Sequence, residues 1–415
     1  MLWGKGQGMA AEKIHTVVIG GGQAGLAASA HLSQCGVSHV VLERKRIAER
    51  WRSERWDSLV ANGPAWHDRF PAKTFDQIDP DGFATRDMIV DYFENFAKEI
   101  HAPVRAHVEV KSLSQVRDDL FHLETSSGEI EAKNVIVATG PFQKPIIPTA
   151  IPQEAGFHQI HSSTYRNPAQ LPEGAVLVVG AGSSGSQIAD ELVRSGRKIF
   201  LSIGPHDRPP RRYRGKDFVW WLGVLGKWNA TTRDPATEHV TIAVSGAHGG
   251  HTIDFREFAS RGMILLGRAE DYHSGTLNFA PDIKDNLLRG DANYLSVLRE
   301  ADAYVEANKL DMPEEPEAHV IGPLPECVKN PILSLDLNAE GVKTILWSTG
   351  YALDFGWIKL DLFDEKGRPK HHRGVAPVPG LYFIGLAWLS RRASPFIWGA
   401  WSDAEYLAKH IAARG

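Results

Sequence analysis

Two glycine-spaced turns are the stretches whose residue types and spacing can do chemistry. The first, Gly20-Gly21-Gly22-Gln23-Ala24-Gly25, fits Gly-x-Gly-x-x-Gly at Gly20, Gly22 and Gly25. The second, Gly180-Ala181-Gly182-Ser183-Ser184-Gly185, fits it again at Gly180, Gly182 and Gly185. In such a turn the first glycine permits a tight bend, the second admits a pyrophosphate against the backbone, and the third lets helix pack on strand. The helix that follows offers free N–H groups and partial positive charge to phosphates. After the first turn, Glu43 stands about 20 residues on, where an acid accepts from ribose hydroxyls. After the second, the matching position is Ile203, and no acid lies between Lys198 and Gly204. Arg208, Arg211 and Arg212 follow instead. Loss of the acid with arginines nearby suits a ribose 2′-phosphate, so the second cofactor is expected to be NADPH rather than NADH. The plainer alternative is a solvated basic loop that only flanks the site.

The elements that must position these turns are legible around them. Val17–Ile19 reads as a strand and Val40–Glu43 as its parallel neighbour. Between them a helix over Ala24–Cys35 carries Leu26, Ala27, Ala30 and Leu32 on one face, with Gly36 ending it. The second unit repeats the plan, with a strand at Ala175–Val179, a helix to Arg194 and a strand over Lys198–Ile203. An amphipathic helix is expected over Thr85–Ile100, with Thr85 as N-cap. Three strand runs follow at Val104–Leu113, Leu120–Thr125 and Glu129–Ala138, the last two joined by a Ser126-Ser127-Gly128 turn. Pro141, Pro145, Pro148 and Pro152 mark a linker. Residues 251–267 read as a strand region and Ile283–Leu310 as a long helix, with Leu288, Leu295, Leu298 and Val305 packing inward. Val342–Tyr351 echoes Val135–Gly140, Pro379–Gly385 is a further strand ending in glycine, and the last helix spans Ser394–Ala413.

The bulk properties exclude several classes. A net charge of −4 gives no global case for nucleic acid or an anionic membrane. The 43% hydrophobic and 23% charged content is that of an ordinary globular protein, and no run approaches a membrane span. A cytoplasmic location is the default expectation, residues 1–10 reading as a short disordered lead with Met9 as a candidate start. Cys35 and Cys327 are far apart, so neither a redox dithiol nor a cysteine-rich metal site is expected. His371-His372 and His248/His251 lack a third ligand at suitable spacing, and no metal is expected.

In this order the motifs resemble the class B flavin-dependent monooxygenases, which comprise the flavin-containing monooxygenases, their plant indole-pyruvate relatives and the Baeyer–Villiger enzymes. The resemblance covers nearly the whole chain. It implies an α/β fold of two dinucleotide-binding (Rossmann-like) domains, glutathione-reductase-like, with the NADPH domain inserted in a discontinuous FAD domain. The expected divisions are 12–165 and 329–415 for FAD, with 166–328 for NADPH. The resemblance assigns FAD to Gly20, Gly22, Gln23, Ala24, Gly25, Glu43 and Arg44, with Ala138-Thr139-Gly140, Thr349-Gly350 and Gly385. Trp51 and Arg52 resemble positions near the flavin. NADPH is assigned to Gly180, Gly182, Ser183, Ser184 and Gly185, with Ser202 and the three arginines. A family signature of Phe-x-Gly, three residues, His, three residues and an aromatic is half met. His161 and Tyr165 fit, while Ala155 and Phe157 stand at the Phe and Gly positions. By resemblance His161 couples the domains at the cofactor; a hydrogen-bonded structural histidine is the equal alternative. Asn62-Gly63-Pro64 resembles the family's Asn-Gly-Pro, whose asparagine amide meets the reactive edge of the flavin; the alternative is a simple turn residue.

What the resemblance implies chemically is an NADPH-consuming, FAD-dependent monooxygenase. It forms a C4a-(hydro)peroxyflavin and inserts one oxygen atom of O2 into a small organic substrate. N- or S-oxygenation is favoured, and Baeyer–Villiger oxidation is not decided against. The competing readings are an NADPH oxidase releasing hydrogen peroxide and a non-enzymatic redox sensor holding both nucleotides. Among the 12 tryptophans, Trp388, Trp398 and Trp401 are the expected substrate-pocket residues, since the last segment should approach the flavin. Expected partners are the substrate and O2, with neither nucleic acid nor membrane; a homodimer is compatible with this reading.

Overall fold

A computed structural model describes residues 10–232 and 242–415; the N-terminal lead lies outside them apart from Ala10. Two parallel sheets organise the chain. In the first, β1 (Glu12–Ile19) is followed by α1 (Gln23–Gln34) and β2 (His39–Glu43). After α2 (Arg86–Glu99) come β3 (Val104–Ala106), β4 (Val110–Arg117), β5 (Leu120–Thr125) and β6 (Gly128–Val137). The strand order is β3-β2-β1-β6-β5-β4, parallel from β3 through β6 and antiparallel in the β4–β6 meander. In the second sheet, β7 (His158–His161), β8 (Ala175–Val179), α3 (Ser183–Arg194), β9 (Ile199–Ser202) and β10 (Ile264–Leu266) precede the long helix α4 (Ile283–Asn308) and β11 (Val342–Trp347). The order is β10-β9-β8-β11-β7, all parallel. The chain then returns: β12 (Leu381–Phe383) pairs with β6 of the first sheet, and α5 (Ile397–Arg414) packs on α1.

These segments form where they do for simple reasons. The central strands are continuous apolar runs, as expected of parallel strands covered on both faces, and Ala175–Val179 is buried throughout. The Thr85 hydroxyl caps α2 by accepting from the Met88 N–H at 3.2 Å. The apolar face of α2 buries Ile89, Tyr92, Phe93 and Phe96 in the first core.

The structure departs from expectation in four places. Strand Val342–Trp347 and strand His158–His161 both belong to the second sheet, so the chain crosses between units near residues 138–158 and 347–381 rather than at 165 and 329. The run Val104–Leu113 breaks at His107, whose φ of 62° ends the parallel strand before the meander starts. Residues 251–267 hold a helix at Phe255–Ser260 before the strand. Leu288 on α4 is solvent-exposed, whereas Leu298 and Val305 are buried.

Candidate active site

The two glycine turns are built alike to atomic detail. A Cβ on Gly25 would lie 1.9 Å from the Gly20 carbonyl oxygen, and one on Gly185 would lie 1.8 Å from that of Gly180. A Cβ on Gly20 would meet the Ala138 carbonyl at 2.6 Å; one on Gly180 would meet the Ser348 carbonyl at 2.5 Å. Both first glycines have positive φ, 115° and 98°. The strand ends behind them also correspond: Ala138-Thr139-Gly140 and Ser348-Thr349-Gly350 each close on a left-handed glycine, φ 72° and 80°. Helices α1 and α3 start without a side-chain cap and without an acid in the first turn. Their leading N–H groups are therefore left to an anion.

The first turn faces a cavity of about 620 Å³. Gly20, Gly22, Gln23, Ala24, Glu43, Arg44, Trp51, Ala138, Thr139, Gly140 and Gly385 all line it. Nothing lies within 4 Å of where a Gly22 Cβ would project, so the backbone there is open to a bulky group. The Glu43 carboxylate is held by the Gly21 and Lys45 N–H groups, each at 2.7 Å. A dinucleotide therefore fits this cradle. Arg52 does not contribute, because it turns away to bond Glu94 on α2 at 2.5 Å. Arg50 and Arg55 line the cavity instead. They sit in a charge-and-tryptophan stretch without periodicity, which offered no signal to choose among its arginines.

At the second turn the expected contacts separate. The Ser183 hydroxyl donates to the Ile242 carbonyl at 2.8 Å, and Ser184 is part-buried on the first turn of α3. Ser202 is buried, donating to the Gly267 carbonyl and accepting from the Ala269 N–H, so its hydroxyl is used by the sheet edge. Arg208 is 3% exposed and pairs with Asp291 at 2.7 Å, sharing it with Arg256. Arg211 is 2% exposed and pairs with Asp217 at 2.5 Å. Arg212 reaches out to the Gly249 carbonyl at 3.0 Å. The expectation that these three meet a 2′-phosphate is corrected for Arg208 and Arg211, whose guanidinium groups are buried and engaged within the protein. An exposed cation beside the end of β9 is Arg268, whose Nε pairs with Asp282 at 2.6 Å and whose side chain would lie 3.3 Å from a Cβ on Gly204.

His161 is likewise corrected as a cofactor ligand. Its Nδ1 accepts from the Ser163 N–H at 3.1 Å, which leaves Nε2 to donate to the Gly350 carbonyl at 3.1 Å. The ring is 2% exposed, and burial holds its pKa below the usual histidine value. It ties one crossing segment to the other. The Thr349 hydroxyl is also used there, donating to the Ile146 carbonyl at 2.5 Å.

Asn62 sits between the units. Its side-chain oxygen accepts from Gln187 Nε2 on α3 at 2.8 Å, and its main-chain carbonyl accepts from Arg211 at 2.6 Å. Gln187 and Arg211 were not singled out in the sequence for this; their partners are 125 and 149 residues away. Of the three tryptophans, Trp401 packs in the first core against Phe70, 5.2 Å between centroids, and Trp388 lines neither the cavity of the first turn nor a second one, of about 450 Å³, beside Trp66 and Trp228. Trp398 lines that second cavity.

Comparisons with known proteins agree with this construction. Residues 17–217 match the pyridine nucleotide-disulphide oxidoreductase family. The chain is 34% identical over 403 residues to an uncharacterized CzcO-like oxidoreductase of Geobacillus kaustophilus, covering 96% of this chain and 98% of that one. It is 26% identical over 412 residues to the indole-3-pyruvate monooxygenase YUCCA1 of Oryza sativa, covering 95% and 90%. A flavin-containing monooxygenase from Stenotrophomonas maltophilia shares the fold with a TM-score of 0.67 at 19% identity, over 97% of this chain and 99% of that one. The chain belongs with the CzcO-like oxidoreductases. Its fold is the two-dinucleotide-binding fold shared by solved flavin monooxygenases, and it is a flavin-dependent oxidoreductase. No described helix is long and apolar enough to cross a membrane.

Proposed function

We propose that the protein is an FAD-dependent, NADPH-consuming monooxygenase that adds one oxygen atom to a small organic substrate. N- or S-oxygenation is the favoured reaction. The observation that carries this reading is Asn62, bonded to the helix of the second glycine turn while its own segment belongs to the first unit. FAD would lie in the first cradle on Gly20–Gly25, Glu43 and Ala138–Gly140, and NADPH on Gly180–Gly185. When bound, the nicotinamide supplies a hydride and the flavin supplies oxygen activation. The chain's own part is positional. The uncapped helix starts bind phosphates, and Glu43 accepts from ribose. Asn62, fixed through Gln187 and Arg211, presents an amide without a strongly acidic proton at the seam between the units. For the 2′-phosphate the exposed arginines are Arg212 and Arg268, the latter with its Nε on Asp282.

The test is the ratio of hydrogen peroxide released to NADPH oxidised by flavin-loaded protein in air, with and without an oxidisable amine or thioether. A ratio well below one with an oxygenated product supports the reading. Peroxide equal to NADPH in every case makes the protein an oxidase, and absence of NADPH oxidation makes it a sensor. Asn62→Ala should raise the ratio towards one and slow oxygenation on the order of 10²-fold, the usual cost of one preorganised donor. An unchanged ratio removes Asn62 from the site.

A further inference from the structure

A side-chain amide has two chemically opposite ends: its oxygen only accepts hydrogen bonds and its nitrogen only donates them. The ends are nearly equal in size, so shape does not choose which end of Asn62 faces the seam between the units. The hydrogen bonds around it do. The main chain there is pinned on both sides. The Ala61 N–H donates to the Ala84 carbonyl at 2.7 Å, and the Gly63 N–H donates to Asp68 Oδ2 at 2.8 Å. The Asn62 carbonyl accepts from Arg211. What remains free to turn is the side-chain amide.

Gln187, 8% exposed on α3, fixes it. One atom of Gln187, Nε2, lies 2.7 Å from the Val244 carbonyl oxygen and 2.8 Å from Asn62 Oδ1. A main-chain carbonyl can only accept, so the Gln187 atom against it is the nitrogen. Val244 cannot yield, because the Ala243 N–H beside it donates to the Asp207 carbonyl at 2.8 Å and Arg211 donates to the Ser245 carbonyl on its other side. The two hydrogens of Nε2 are therefore both spent, one on Val244 and one on Asn62. The Asn62 atom that receives the second is the oxygen. Among the described residues nothing accepts from Asn62 Nδ2, and Asn62 is half-buried.

We infer that Gln187 is a positioning residue that sets the direction of the Asn62 amide, turning an N–H donor and not a carbonyl acceptor towards the seam. That this donor serves oxygenation rests on the function proposed above; the direction of the amide does not. Gln187→Glu keeps the shape and reverses the direction. A carboxyl group carries at most one proton, so it cannot donate to Val244 and Asn62 together, and of these only the amide can turn.

The test has two arms, both on flavin-loaded protein. In the first, exchange of the Gln187 Nε2 protons with water is measured by NMR on glutamine labelled with ¹⁵N, the signals being those absent from Gln187→Glu. Both protons should be protected in the parent. Asn62→Asp, whose oxygens can still accept, should keep both protected, whereas Asn62→Ala should free one to exchange about tenfold faster, the worth of one hydrogen bond. In the second, Gln187→Glu at unchanged flavin content should raise the ratio of peroxide to NADPH towards that of Asn62→Ala. If Gln187→Glu does not fold, Gln187→Met, of similar length and without a donor, serves both arms and should raise the ratio part of the way. A single protected proton in the parent, or loss of protection in Asn62→Asp, would overturn the direction. A parental ratio in Gln187→Glu, where the parent oxygenates, would overturn the positioning role. A parent that oxygenates nothing counts against the proposed function, and the exchange arm then decides this inference by itself.

Discussion

Replacing Arg211 by methionine separates the two roles that its position allows. In the structure its guanidinium is walled in. Nε and Nη2 hold one oxygen of Asp217 at 2.9 and 2.5 Å, and Nη1 donates to the carbonyls of Asn62 and Ser245 at 2.6 and 3.3 Å. Phe83 and Phe218 each lie 4.7 Å away, one ring to each contact. Burial pushes its pKa down and Asp217 opposes that shift, as expected of a charge kept inside by its partner. Methionine preserves much of the apolar stem but strands Asp217. Removing one partner of a buried pair costs about 3–5 kcal/mol, a large share of the 5–15 kcal/mol that typically holds a protein folded. The expected result is therefore a urea midpoint well below that of the parent, with loss of flavin at lower urea.

The double variant Arg211→Met/Asp217→Asn works the arithmetic from the other side. Asparagine keeps an oxygen for the Val219 N–H, which Asp217 now accepts at 3.0 Å at the start of its helix, and it removes the stranded charge. Most of the lost stability should return, leaving a deficit of about 1–2 kcal/mol from the unfilled carbonyls of Asn62 and Ser245. Arg211→Lys should not rescue, since an ammonium cannot serve an acid and two carbonyls in one plane. KM for NADPH and NADH, measured on the surviving variants, completes the test. The ratio of KM for NADPH to KM for NADH should stay at the parent value for Arg211→Met and rise for Arg268→Ala. An unchanged urea midpoint together with a selective rise in KM for NADPH in Arg211→Met would refute the reasoning and return Arg211 to the 2′-phosphate.

The two glycines flanking the flavin helix start should fail differently. Gly25→Ala places a methyl 1.9 Å from a carbonyl oxygen and should prevent folding, whereas Gly22→Ala projects into open space and should leave a folded protein that loses flavin; solubility and the flavin-to-protein absorbance ratio distinguish them. Asp403 is 2% exposed on α5, and burial raises its pKa against hydrogen bonds from Ser390 and Ser394. An acid whose folded pKa is raised contributes stability that is complete below its unfolded value, about 3.9, and lost as pH climbs through the folded value. Asp403→Asn should thus gain on the parent as pH rises from about 4 towards neutrality, read as a widening gap between urea midpoints; a gap independent of pH would contradict the assignment.

The parts of this molecule that were legible beforehand are those whose cause is local. Gly25 announces a turn because a Cβ there would strike the Gly20 carbonyl five residues back, and Gly20 because the bend needs its positive φ. Glu43 is readable for the same reason, since one βαβ unit fixes its distance from the turn. Even the echo of Val135–Gly140 in Val342–Tyr351 was visible, because both strands end behind a glycine turn and must yield to its carbonyl geometry. The misassigned residues are those whose meaning depends on a distant partner. Nothing within reach of Arg211 in the chain says that Asn62 waits 149 residues away, or that Asp291 will claim Arg208. An arginine in a loop after β9 is basic in sequence whether it meets phosphate or carboxylate. The distinction is made by burial, which only the packed structure supplies. Asn62 shows the same principle from the useful side. As a turn residue it is ordinary; held by Gln187 from one helix and Arg211 from another segment, it becomes a point at which the second unit is tied to the first.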